Sequence, residues 1–411
     1  MITGYSKRKI LNDPIYGFIK FPFEIIYQIM DHPWFQRLRR IKQTGLTSLV
    51  YPGANHSRFQ HSLGAMHLMQ EAIKVLRIKG HSINKEEERG ALIAIMLHDI
   101  GHGPFSHSLE NSIVDKLSHE DLSEIFMQFF NEIFRNELDL ALEIFKDKYS
   151  KKFLHQLVSS QLDVDRLDYL KRDSFYTGVV EGTVNADRII SMLELAEGEL
   201  AVESKGIYSV EQFIIARRLM YWQVYLHKAV IASEYLLVSI LKRAKFLVET
   251  GVKVWSTPSL SFFLTNQLEK KDFNEQKVLQ RFSELDDYDV LASIKVWASH
   301  KDKVLSYLAK SIINRSLGAI ELRDESFSEE DIDKYRKKTM QILGFTRDEV
   351  DYVVINDFTF NLAYNPNLGR INILNKKGIT KDISLASDQL NISVLSNPVT
   401  KSFLIYPKEI R

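Results

Sequence analysis

Apolar residues recur at helical spacing from residue 22 to about residue 315. Phe23, Ile26, Ile29 and Met30 form one stripe, and Phe35, Leu38 and Ile41 form another. Pro33 stands between them, where a helix breaks or makes its first turn. An apolar helix is predicted from Arg58 to about Leu76. Residues 89–98 are apolar nearly all round after Arg89, the pattern of a central helix rather than a surface one. Long amphipathic helices are predicted over 120–149 and 209–250. Ser209 with Gln212, and Thr346 with Glu349, have the spacing of capping boxes.

Strand signals are sparse before residue 350. Residues 200–208 read as a small hairpin around Ser204-Lys205-Gly206. Later, Phe358 to Leu362, Arg370 to Leu374 and Ile392 to Leu395 are short and partly alternating. Turn residues at 365–369 and 375–378 separate and follow the first two. The charge-rich stretch 321–338 reads as a solvated helix. The expected fold class is mostly α, with a helical core and a smaller mixed α+β C-terminal lobe. The expected division is 1–50 as an N-terminal segment with helices, 51–320 as the core and 321–411 as the lobe. No repeat or low-complexity linker separates them, so the parts are expected to pack together.

Composition narrows the chemistry. The 411 residues suffice for a large core. A net charge of +1 gives no global field toward nucleic acid or membrane, so no dedicated nucleic-acid binding is expected. Cysteine is absent, so a transition metal must be held by nitrogen and oxygen ligands. The first residues lack the apolar stretch of a signal peptide, and no window approaches a membrane-spanning run. A cytoplasmic protein is the expectation.

Eight of the twelve histidines fall between His56 and His119. His98-Asp99 closes the apolar run and is followed by Ile-Gly-His102-Gly-Pro-Phe-Ser-His107. A carboxylate in an apolar setting must be paired or bind a metal. His61 falls in the first turn of its helix, where an imidazole can point into a cleft. Asp165, Asp168 and Tyr169 share a helix face. Taken alone, that face is equally a solvated one. Two histidines with two carboxylates make a site for a divalent transition ion such as iron, manganese, zinc or nickel. Arg58, Arg166, Lys171, Arg172, Arg217, Arg218 and Lys228 supply cations suited to phosphate oxygens. His102, His107 and His119 are spare imidazoles that can move protons. Together these predict metal-dependent phosphoester or phosphoanhydride hydrolysis.

His61, His98-Asp99 and Asp165 resemble the H…HD…D metal motif of the HD-domain phosphohydrolases. Pro52 to Gly64, His98 to His107 and Asp163 to Asp173 resemble one branch of them in particular. That branch contains the SAM-and-HD-domain deoxynucleoside triphosphate triphosphohydrolase and bacterial dGTP triphosphohydrolases. The likeness runs from about Asn12 to Lys228. It implies a helical HD-domain core, with His61, His98, Asp99 and Asp165 as metal ligands and magnesium accompanying the nucleotide. It implies His102, His107, His119 and Glu110 on the phosphate side, with His107 or His119 protonating the leaving oxygen. Arg58, Arg166 and Arg217 would hold the triphosphate. Tyr169 and Asp173 would contact the sugar 3′-hydroxyl, Gln43 would reach the sugar, and Tyr225 would crowd the 2′ position. Some members are tetramers switched on by a nucleotide at a second site, which Lys9, Asp31, Gln36 and Arg39 match in part. A homo-oligomer, dimer or tetramer, is therefore expected.

Departures limit the transfer. Arg166 stands where the family has lysine, Leu226 where a glutamine faces the base, and Thr44 where a leucine lies near the sugar. Base preference does not carry over. An HD-type phosphomonoesterase or phosphodiesterase, or a catalytically weak nucleotide-binding regulator, are the alternative readings.

Overall fold

The computed structural model describes residues 10–105, 117–388 and 398–411. The Arg58–Ile78 helix is its axis. Gln60 Oε1 accepts the Ser57 N–H at 2.9 Å, closing the helix start. Buried residues occur on most sides of this helix. It packs on the Lys85–Leu97 helix along one flank and on the Val164–Thr177 helix along another. The Lys85–Leu97 helix starts at an Asn84–Glu87 capping box, and every residue from Gly90 to Leu97 is buried. Its apolar girth is what a helix wrapped by others requires. The Val164–Thr177 helix starts with Asp163 accepting the Arg166 N–H at 2.8 Å and stops at Gly178, whose φ is 75°. Among the described residues no single helix is long and apolar enough to cross a membrane.

Pro33 opens the short Pro33–Gln36 helix after Glu24–Asp31 has ended. Several expectations are corrected. The 120–149 stretch is two helices, His119–Ile133 and Asp139–Phe145. The break lies at Arg135 and Asn136, both at positive φ, and Asn131 stabilises it by accepting the Leu138 N–H at 2.8 Å. Side-chain bonds of this kind compete with the helix ladder. The 209–250 stretch is also divided, into Ile207–Met220, a π-helical turn Tyr221–Tyr225, and Lys228–Glu249. His227 forms the break by accepting the Ala229 N–H at 3.2 Å. Ser209 therefore lies inside a helix that already starts at Ile207, whereas Thr346 and Glu349 do form a capping box.

The hairpin is Leu193–Ala196 with Glu199–Glu203, earlier than predicted. Its two-residue turn is Glu197-Gly198, both at positive φ, the geometry that matches strand twist. Ser204–Gly206 is a 3₁₀ turn leading into the next helix.

Two small sheets involve the C-terminal region. Ala319–Arg323, Val399–Tyr406 and Ile355–Asn361 form an antiparallel sheet with Val399–Tyr406 in the middle. Phe403 and Ile405 of that sheet pack on Ile231 and Ala232 of the Lys228–Glu249 helix. Asn372–Leu374 instead pairs parallel with Glu199–Glu203, and Thr380–Asp382 extends that sheet. The charged stretch is part strand and part helix, Glu329–Leu343, capped by Ser328. Residues 392–395 lie outside the described residues. One apolar core runs from Ile19 to Ile410, so the lobe is packed into the body.

Candidate metal centre and active-site cavity

Three helix ends meet at one point. His61 lies in the first turn of Arg58–Ile78, His98 caps the C-terminus of Lys85–Leu97, and Asp165 lies in the first turn of Val164–Thr177. Asp99 follows His98 out of its helix. His61 Nε2 lies 3.0 Å from Asp165 Oδ1 and 3.7 Å from Asp99 Oδ2. His98 Nε2 lies 3.3 Å from Asp99 Oδ1 and 3.4 Å from Asp165 Oδ1. Both imidazole Nε2 atoms are buried, yet neither makes a hydrogen bond of acceptable geometry. Ligand atoms of His61, His98 and Asp99 all lie within 4.8 Å of one another. Two buried nitrogens without partners beside two carboxylates fit a divalent cation.

Each imidazole is aimed from behind. His98 Nδ1 donates to the Ile95 carbonyl at 2.5 Å. His61 Nδ1 donates to Asp168 Oδ2 at 2.7 Å. Arg172 grips Asp168 with Nε at 2.9 Å and Nη2 at 3.0 Å, and reaches Asp13 with Nη1 at 2.9 Å. Asp13 is fixed in turn by the N–H groups of Ile15 and Tyr16. This chain locks the tautomer that turns Nε2 toward the cluster. Burial would lower the His61 pKa, but Asp165 and Asp168 push it up to about 10. That shift reports the negative potential at the point the four side chains surround. Burial alone would raise Asp99, yet His98, Arg58 and His102 hold it well below the usual carboxylate range.

The cluster opens into a cavity of about 870 Å³. Its walls bring together Gln43, Arg58, His98, Asp99, His102, His119, Asp165, Arg166, Tyr169, Asp173, Arg217 and Tyr225. His61 sits just behind, fully buried. Arg58 is paired to Asp99 and Arg166 to Asp163. The Nε atoms of Arg166 and Arg217 are buried and without a hydrogen-bond partner among the described residues. The His102 and His119 rings stack at 3.9 Å, and His102 Nε2 lies 3.3 Å from Asp99 Oδ1. Burial, then the Arg58 charge, keep His102 well below its ordinary pKa and so neutral.

Asp173 is held from two sides. His56 Nε2 meets Oδ1 at 2.7 Å, and the Tyr225 hydroxyl donates to Oδ2 at 2.6 Å. Burial and then Asp173 raise the Tyr225 pKa well above its usual value, so the phenol stays a donor. Tyr225 stands edge-on to both Tyr169 and Tyr221. The π-helical turn that carries Tyr221 and Tyr225 is a distortion common at functional sites.

Of the predicted regulatory group, Asp31, Gln36 and Arg39 lie outside the cavity walls. Arg39 donates to Gln36 at 2.7 Å and stacks on Phe59 at 3.6 Å. Lys9, His107 and Glu110 lie outside the described residues. Sequence reasoning gave no role to Asp13 or His56, nor to Tyr221 and Glu234, which line the cavity. It counted Arg172 among the phosphate cations, whereas the fully buried Arg172 is spent on Asp168 and Asp13 and does not line the cavity. Asp168 carried a signal, its helical spacing from Asp165. Glu234 carried another, a lone acid in the apolar run 229–238.

The sequence matches the HD domain over residues 58–173 and the HD-associated region over residues 184–250. It is 32% identical to YwfO, an uncharacterised protein of Bacillus subtilis, over 98% of this chain and 93% of that one. It is 33% identical to the deoxynucleoside triphosphate triphosphohydrolase SAMHD1 homologue of Dictyostelium discoideum, over 59% of this chain and 51% of that protein. The crystal structure of a phosphohydrolase from Bacteroides thetaiotaomicron superposes with a TM-score of 0.94 at 51% identity, covering 97% of this chain and 100% of that one. With the metal-donor cluster lying inside the matched domain, the chain belongs to the HD-domain phosphohydrolase family.

Proposed function

We propose that the protein hydrolyses deoxynucleoside triphosphates to the deoxynucleoside and inorganic triphosphate. The observation that carries this reading is the gathering of Arg58, Arg166 and Arg217 with Asp173 and Tyr225 in one cavity beside the metal-donor cluster. Three guanidinium groups lining one cavity suit a polyanion. The relative from Dictyostelium bears the name of this activity.

His61, His98, Asp99 and Asp165 would hold a divalent transition ion, which when bound supplies Lewis acidity and an acidified water. Arg58, Arg166 and Arg217 grip phosphate oxygens so that the α-phosphorus faces that cluster. Water oxygen bonds to the α-phosphorus and gives up a proton to solvent, the P–O5′ bond breaks with its electron pair going to the 5′-oxygen, and that oxygen takes up a proton. His119, stacked on His102 at the cavity wall, is the described imidazole suited to give it. Asp173 keeps lone pairs for a sugar 3′-hydroxyl while His56 and Tyr225 fix its plane. The Tyr225 ring would leave little room for a 2′-hydroxyl.

Metal-reconstituted protein incubated with each dNTP, singly and mixed, tests the reading by resolving the phosphate products. Triphosphate with free deoxynucleoside is expected. Release of single phosphate would move the assignment to a phosphomonoesterase, and no product with any divalent metal would end it.

Glu234 extends the proposal to the base. It lines the same cavity as Thr44, Thr47 and Leu226, on the helix against which Gly45–Leu49 packs. Burial pushes its carboxyl up to about 7. An ionised carboxylate there matches the two adjacent donors of guanine, N1–H and N2–H. Preference for dGTP should therefore rise with pH through 7 as Glu234 loses its proton. Glu234→Gln should flatten that rise and cut the preference about tenfold, the worth of one charge-assisted hydrogen bond. Competition between dGTP and dATP from pH 6 to 8 measures both, and identical profiles for variant and wild type would refute the assignment.

A further inference from the structure

Asp287 does not line the cavity, yet it joins two segments that do. It opens the Asp287–Trp297 helix and is 2% exposed. Its Oδ1 accepts the Phe105 N–H at 2.9 Å, and its Oδ2 accepts the Lys42 N–H at 2.9 Å. Phe105 lines the cavity at the end of the stretch that begins with the ligands His98 and Asp99. Lys42 immediately precedes Gln43, Thr44 and Gly45, which line the same cavity. One carboxylate thus bonds the backbone of both segments, one oxygen to each.

The neighbours of Asp287 repeat the arrangement. Arg37, wholly buried, donates Nη2 to the Ile100 carbonyl at 2.7 Å and Nη1 to the Leu285 carbonyl at 3.2 Å. Arg40 pairs with Asp286. Residues 285–287 therefore tie the 37–42 segment to the 100–105 segment at several points. Phe105 has a φ of 52°, a left-handed conformation that costs free energy for a non-glycine residue. Something must hold it, and the Asp287 bond falls on its own amide. Asp287 has no ion-pair partner among the described residues. A buried carboxylate spent on two amides is costly to keep unless their placement matters.

We propose that Asp287 is a positioning residue for substrate: it fixes the cavity wall formed by Gln43–Gly45 and Phe105 against the nucleotide, without touching nucleotide or metal. The inference rests on the deoxynucleotide reading above. It predicts a split in the kinetics. A wall that is no longer held weakens substrate binding, whereas the metal cluster persists, because His61, His98 and Asp165 are held at the ends of their own helices and Asp99 by its pairing with Arg58.

The test measures dGTP hydrolysis, affinity for the slowly hydrolysed α-thio analogue of dGTP, metal content and melting temperature, for wild type, Asp287→Ala and Asp287→Asn. For Asp287→Ala, KM and the analogue Kd should rise at least tenfold, with kcat within about threefold and metal content unchanged. Asparagine retains one acceptor, so Asp287→Asn should fall between alanine and wild type, and it remains informative if the alanine variant does not fold. KM and Kd at wild-type values in a folded variant, or kcat falling only in step with the folded fraction, would overturn the role while leaving the functional reading intact. A wild-type protein that binds no deoxynucleotide would overturn both.

Discussion

Asp99→Ala should strip the metal and the activity together. Metal content of the purified protein is expected to fall to background, and kcat/KM at least about 1000-fold, ~4 kcal/mol of transition-state stabilisation. The reason is the number of roles one carboxylate holds. Its Oδ1 lies 3.3 Å from both His98 Nε2 and His102 Nε2. Its Oδ2 faces His61 and is paired with Arg58. Alanine removes a candidate cation ligand, takes away the negative charge that Arg58 and the imidazoles share, and frees Arg58 to move from its place on the cavity wall. Metal analysis and steady-state kinetics check the two halves separately. The metal half stands whether or not dNTPs prove to be the substrate. A variant that kept both metal and turnover would show that the centre lies elsewhere.

What the sequence made legible follows from the range of the interactions. His98-Asp99 is local, the end of an apolar helix that cannot leave a carboxylate unserved. His61 sits in the first turn of a helix that the apolar pattern marks, whereas spacing puts Asp165 only on a helix face with Asp168 and Tyr169, and the fold places it in a first turn. Asp13 and Arg172 meet across 159 residues, and no periodicity announces such a pair. Asp287 and Lys42 are 245 residues apart, and their bond uses a backbone amide that any residue would provide. The same limit governs the fold. The Val399–Tyr406 strand takes its place from partners at 319–323 and 355–361, so it is defined by pairing rather than by its own alternation. The helix break at Asn136 depends on one amide side chain, Asn131, reaching ahead to Leu138. Helical patterning outweighs such a bond in a sequence window, and the folded chain resolves the competition the other way.

Gly64→Ala sets two effects of opposite sign against each other. Glycine inside the Arg58–Ile78 helix costs roughly 1 kcal/mol relative to alanine, so helix propensity alone favours the substitution. A Cβ on Gly64 would fall 2.0 Å from Asp168 Oδ1 and 2.2 Å from Arg172 Nη2. Neither atom is the loose end of a flexible side chain. Both belong to the buried, two-bonded pair that aims His61. The methyl group must break that pair or push the Val164–Thr177 helix off its neighbour. Breaking a buried ion pair costs about 3–5 kcal/mol, which outweighs the propensity gain and leaves a net loss of roughly 2–4 kcal/mol. That is a large share of the ~5–15 kcal/mol that holds a typical domain folded. The loss reaches the metal as well. With Asp168 displaced, His61 loses the acceptor that fixes its ring, and metal affinity should fall about 10–100-fold. Urea unfolding and metal titration read the two consequences independently. If Gly64→Ala were as stable as wild type and bound metal equally well, the close approach of the two helices at this point would not be what the cluster depends on, and the Asp13–Arg172–Asp168–His61 chain would lose its place as the support of the centre.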